Sequence, residues 1–95
     1  MNNNECSTKI KEIAQYLASK KPQEVSFADA DKIDYELFLI DKAWNENSTT
    51  HFRENFPLIE QIWDILADWN FEDEPDLAKN QKIINLAKKY LENNN

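Results

Sequence analysis

Apolar residues recur along the chain at helical spacing in four segments. In the first, Ile10, Ile13, Ala14 and Leu17 stand at i, i+3, i+4 and i+7, which predicts a helix over about 7–21. Ser7 is its expected N-cap, Lys20 and Lys21 suit its C-terminal end, and Pro22 stops it. Ala30, Ile33, Leu37, Ile40 and Trp44 then step by alternate threes and fours, with Phe38 beside the stripe widening it. A second helix over about 26–45 follows, opened by Ser26 and Asp29 at capping-box spacing and closed by the turn-forming run Asn45–Ser48. Phe52 and Phe56 allow a short helical turn before Pro57, a residue tolerated in a first turn. The third helix, about 55–70, has Ile59, Ile62, Trp63, Leu66 and Trp69 on its apolar side. In the fourth, about 75–92, Asp73 or Asp76 is the expected cap. Leu77, Ile84, Ala87 and Leu91 form its inner stripe, with Ile83 and Tyr90 at the border.

Four amphipathic helices joined by short loops predict an all-α fold, an antiparallel four-helix bundle in a single domain over 1–95. Composition sharpens this. There is no glycine among the 95 residues, so phosphate-cradling loops, dinucleotide fingerprints and nucleophile elbows are excluded. Tight hairpin turns lose their preferred residue as well. A hydrophobic fraction of 41% with three Trp, three Tyr and five Phe is too apolar for a disordered acidic chain. No apolar run approaches a membrane span, and no signal-peptide core follows Met1. A soluble, cytoplasmic protein with polar frayed ends at Asn2–Asn4 and Asn93–Asn95 is the expectation.

Charge is distributed unevenly. Residues 24–76 hold fifteen acids against Lys32, Lys42 and Arg53, a balance of −12, while residues 1–23 stand at +2 and 77–95 at +3. Glu60, Asp64 and Asp68 are spaced i, i+4, i+8 and form one row on the solvent side of the third helix. Like charges so spaced oppose a helix by about 0.2–0.5 kcal/mol per pair, and no lysine relieves them. The row runs on into Glu72, Asp73, Glu74 and Asp76. The second helix adds Asp31, Asp34 and Asp41, with Glu36 and Asp29 nearby. The unrelieved row and the dense acidic loop favour a surface that docks on a basic partner over a solvated face that only confers solubility. Trp69 and Phe71 are either core residues under the acidic loop or apolar anchors within a docking surface.

Chemistry for catalysis or cofactors is sparse. Cys6 is the single cysteine, set in a polar stretch, and His51 is the single histidine, in a loop. A disulfide and a cysteine- or histidine-based zinc site are therefore excluded within the chain. Glu72–Asp76 lacks the alternating ligands and glycine of a calcium loop. The expectation is no enzyme, no cofactor and no dedicated metal site. Direct nucleic-acid binding is disfavoured by the central −12.

The run from Ile62 through Trp63, Asp64, Asp68, Trp69, Phe71, Glu72, Asp73, Glu74 and Pro75 to Asp76 resembles the colicin D-type immunity proteins. In these, a helix leads into an aromatic, acidic turn before a final amphipathic helix. The segment Glu12–Lys20 is similar in character to that family's first helix. The resemblance implies a small acidic bacterial bundle that binds a bacteriocin's toxin nuclease domain and blocks its basic tRNA-binding cleft. It also implies that Glu60, Asp64, Asp68, Glu72, Asp73, Glu74 and Asp76 meet the toxin's lysines and arginines, with Trp69 and Phe71 giving apolar contact. The Asn-rich ends, the absence of glycine and the longer loop near Thr49 depart from the family. The alternatives are a phage- or plasmid-encoded nucleic-acid mimic acting on a host defence enzyme, and a structural or regulatory bundle that associates with itself, for example as a homodimer.

Overall fold

The structure, a computed structural model, describes residues 1–69 and 76–93. These form helices α1 (Asn3–Ala18), α2 (Phe27–Asn47), α3 (Phe52–Asn55), α4 (Pro57–Ala67) and α5 (Leu77–Asn93), with a 3-10 turn over Pro22–Glu24 between α1 and α2. The described residues contain no strand and no residue at positive φ, consistent with a chain free of glycine.

Helix α1 starts earlier than the apolar pattern predicts. Its cap is Asn2, whose side chain accepts the Glu5 N–H at 2.8 Å, so Ser7 lies inside the helix and caps nothing. The extra turn carries Cys6 inward to 0% exposure, where it prolongs the stripe of Ile10, Ile13, Ala14 and Leu17 by four residues. Asn2 and Asn3 are not a frayed end. Asn3 donates to the Asn47 carbonyl at 3.4 Å and Asn47 donates to that of Met1 at 3.2 Å, joining the start of α1 to the end of α2. The helix stops at Ala18, so Lys20 and Lys21 lie beyond it.

In α2 the capping box is formed: Ser26 Oγ accepts the Asp29 N–H at 3.2 Å and Asp29 accepts the Ser26 N–H at 3.0 Å. Ala30, Ile33, Leu37 and Ile40 are buried as the spacing predicts. Trp44 is half-buried, and Phe38 is 53% exposed rather than part of the apolar face. The turn before Pro57 exists as α3, held to α2 by the Phe52 N–H donating to Asn45 Oδ1 at 2.8 Å. Pro57 then takes the first position of α4, where its missing N–H leaves no orphan donor. A cluster of rings fills this corner, with Trp44 edge-on to Phe56 at 4.9 Å and Phe52 edge-on to Trp63 at 6.2 Å.

Helix α5 rotates relative to its predicted stripe. Its buried residues are Asn80, Ile83, Ile84, Ala87 and Tyr90, whereas Leu77 is 54% exposed and Leu91 half-buried. The rotation follows from Asn80. Its side-chain amide donates to the Pro22 carbonyl at 2.9 Å and the Val25 carbonyl at 3.3 Å, tying the turn between α1 and α2 to α5. Helix α1 packs on α2 and α5, and α4 packs on the same two helices. The core lies between the four.

Candidate functional site

The expected acidic row lies on α4. Buried Ile59, Ile62 and Leu66 fix the inner face of this helix, which turns Asp64 and Asp68 out to solvent. Among the described residues neither has an ion-pair partner. Glu60 differs from the sequence expectation. It is half-buried and lies 3.9 Å from the Arg53 guanidinium of α3, so the one arginine of the chain relieves this end of the row. Helix α4 also ends at Ala67, with Asp68 as its C-cap, rather than running to Asn70. A carboxylate there opposes the helix dipole, and no glycine is present to form a left-handed cap.

Beyond the row, the predicted residues separate. Trp69 is half-buried against the core, and its indole N–H is enclosed without an acceptor among the described residues. Asp76 serves α5. Its carboxylate accepts the backbone N–H groups of Ala78 at 3.0 Å and Lys79 at 3.1 Å, the N-cap geometry expected of it. Phe71, Glu72, Asp73 and Glu74 lie outside the described residues.

The acids of α2 are largely engaged. Asp34 accepts the Trp63 indole N–H at 2.6 Å, tying α2 to α4. Asp41 accepts from the Asn45 amide at 3.2 Å, and Glu36 lies 4.0 Å from Lys32. Asp29 accepts the Tyr16 hydroxyl at 2.6 Å in addition to its capping bonds. Partial burial works to raise the Asp29 carboxyl, but the bonds from Tyr16 and Ser26, with Lys20 nearby, together hold it below the ordinary range. The same bond raises the Tyr16 hydroxyl. These roles were invisible in the sequence, because Tyr16–Asp29 and Asp34–Trp63 join residues of different helices.

Cys6 and His51 add no reactive centre. Burial pushes the Cys6 thiol up and keeps it protonated, and the sulfur faces the Ile40 carbonyl at 3.9 Å. His51 is exposed at the start of α3. Among the described residues, no three His, Cys, Asp or Glu side chains converge as metal ligands, and no helix is long and apolar enough to cross a membrane.

What the fold assembles is an electrostatic face. Helix α2 holds six acids against two lysines, and it packs beside α4 with its row. On the other side, α5 has four lysines against Glu92 and packs beside α1, whose two acids and two lysines balance. The two ion pairs among the described residues, Lys32–Glu36 and Arg53–Glu60, both stay within the acidic half. No protein-family model matches the chain, and no curated protein or solved structure matches it significantly.

Proposed function

We propose that this chain is an acidic inhibitory binding protein, an immunity protein that neutralises a basic, tRNase-like toxin nuclease by occupying its substrate cleft. The observation that carries the reading is the pairing of α2 with α4, which gathers the acidic segment on one side of the fold. Solvent-facing Asp64 and Asp68, unrelieved among the described residues, are repulsive in the free protein. A partner bringing lysines and arginines relieves that repulsion, and the same field speeds the encounter by about 10–1000-fold. The surface combines Glu60, Asp64, Asp68 and Trp69 with Phe71, Glu72, Asp73, Glu74 and Asp76 of the connection to α5. Trp69 supplies apolar area. The closed ring of contacts among α1, α2, α4 and α5 supports an antiparallel four-helix bundle as its scaffold. The protein acts in the bacterial cytoplasm, without catalysis or cofactor.

The test is affinity capture from source-cell lysate under rising salt, followed by a tRNA-cleavage assay on the retained basic protein. The expected outcome is cleavage by the partner alone and its arrest at one equivalent of this chain. Retention of bait alone, or cleavage unaffected by the chain, contradicts the reading.

The separation of charge between the α2–α4 and α1–α5 sides also favours a second reading, head-to-tail self-association of acidic on basic faces. Sedimentation at low salt separates the two, since only self-association gives larger species without a foreign protein.

A further inference from the structure

Two aromatic side chains of α2 stand out of the fold. Tyr35 is 64% exposed and Phe38 53%, although the residues flanking them, Ile33, Leu37 and Ile40, are buried. Three residues apart on a helix, their rings occupy adjacent positions on one surface. Their position relative to α4 follows from the hydrogen bonds. Asp34, Phe38, Asp41 and Asn45 form a row at i, i+4, i+7 and i+11 along α2. At one end of it Asp34 accepts from Trp63 of α4, and at the other Asn45 accepts from Phe52 of α3. Phe38 sits between these ties, on the flank of α2 turned toward α4, with Tyr35 one step further out.

The charges around this apolar patch are mostly acidic: Asp31, Asp34 and Asp41 stand within a turn of it on α2, against exposed Lys42, and α4 alongside carries Asp64 and Glu60, the latter paired with Arg53. Half-buried Trp63 of α4, one turn from Phe38 by way of its bond to Asp34, is held edge-on to Phe52. An exposed apolar patch inside a charged rim is the anatomy of an interface, with aromatic anchors at the centre and charges excluding wrong partners.

We infer that the α2–α4 side is a docking surface with Tyr35 and Phe38 as its apolar anchors, and that its occupant is a basic protein surface with an apolar recess among its lysines and arginines. The inference rests on the binding-protein reading above and moves the main anchors from the end of α4 to α2. The choice of occupant follows from charge. Phosphates of nucleic acids and anionic lipid headgroups meet Asp31, Asp34, Asp41, Glu60 and Asp64 as like charges. A second copy docked patch to patch sets the same acids against themselves. An arginine-rich surface meets opposite charge at the rim, and its guanidinium groups stack on the Tyr35 and Phe38 rings.

The test uses the full chain and two synthetic peptides of equal positive charge. One is an amphipathic helix with lysines and arginines on one face and leucine and tryptophan on the other. The second has serine in place of every leucine and tryptophan. Binding is followed at physiological salt for the natural chain and for the Tyr35→Ser/Phe38→Ser variant, whose folding is verified by circular dichroism. The amphipathic peptide is expected to bind the natural chain at least tenfold more tightly than the serine peptide. The double variant loses that advantage while binding the serine peptide unchanged, and amide shifts in the natural chain concentrate at residues 31–42 and 60–67. Equal, salt-dependent affinities for both peptides overturn this inference alone, because the acidic field still binds. No salt-dependent binding of either peptide overturns the binding-protein reading with it. Dimerisation of the natural chain that the double variant abolishes makes a second copy the occupant and also overturns the inference.

Discussion

Asn80 is the one polar side chain among the described residues that is fully buried, and its amide holds two carbonyls of a turn 55 and 58 residues away in sequence. Removing it leaves the Val25 carbonyl without this donor and the Pro22 carbonyl with the Val25 N–H at 3.4 Å alone, a deficit of about 1–3 kcal/mol. Asn80→Ala is therefore expected to lower the unfolding free energy by that amount, read as a lower urea midpoint at an unchanged denaturant slope, and the melting temperature by roughly 4–8 °C per kcal/mol. An unchanged midpoint would mean that the turn between α1 and α2 is held without Asn80. The residue explains why the buried face of α5 departs from its apolar stripe. A stripe built only from apolar letters passes over Asn80 and selects Leu77, which faces solvent. Cys6 is the converse case. Set in a polar stretch, it lies outside the stripe that the apolar pattern predicts, although its spacing of four from Ile10 continues the buried face.

At the scale of elements, local signals were legible where the chemistry is local. The Ser26–Asp29 box, the first-turn place of Pro57, the cap at Asp76 and the inner stripes of α1 and α2 all follow from residues within one or two turns. What escaped depends on neighbouring helices: the relief of Glu60 by Arg53, the engagement of Asp34 by Trp63 and the exposure of Phe38. The start of α2 gives a pH signature. The Asp29 carboxyl is held below its unfolded value, so its ionised form stabilises the fold at neutral pH, and that contribution disappears as pH falls through the folded value. The stability gap between the natural chain and Asp29→Asn is expected to be widest near neutrality and to close as pH drops below 3.8, the ordinary carboxyl value. A gap independent of pH in thermal melts would remove the carboxylate from this role. Tyr16 acts at the other limit, because its raised hydroxyl loses the bond to Asp29 as alkaline pH passes the folded value.

For the molecule as a whole, the order of charge along the chain becomes a division in space. The acidic middle of the sequence supplies α2 and α4, which pack together, while the lysines of α5 lie with α1 on the other side. Asp64→Lys/Asp68→Lys keeps a like-charge pair at 64 and 68, but it sets a lysine one turn from Glu60 and a cation at the C-cap of α4, where the helix dipole favours it, so the variant is expected to fold at least as stably as the natural chain. The measurement that tests the central claim most directly is the affinity of the captured basic partner for three proteins across a salt series. These are the natural chain, Asp64→Lys/Asp68→Lys, and a control with Lys82→Glu/Lys88→Glu on α5. The expected result is an affinity that falls with salt, drops at least tenfold for the α4 variant and stays within twofold for the α5 control. Equal affinities for the natural chain and the α4 variant, or a larger loss in the α5 control, would contradict the assignment of the acidic side as the binding surface.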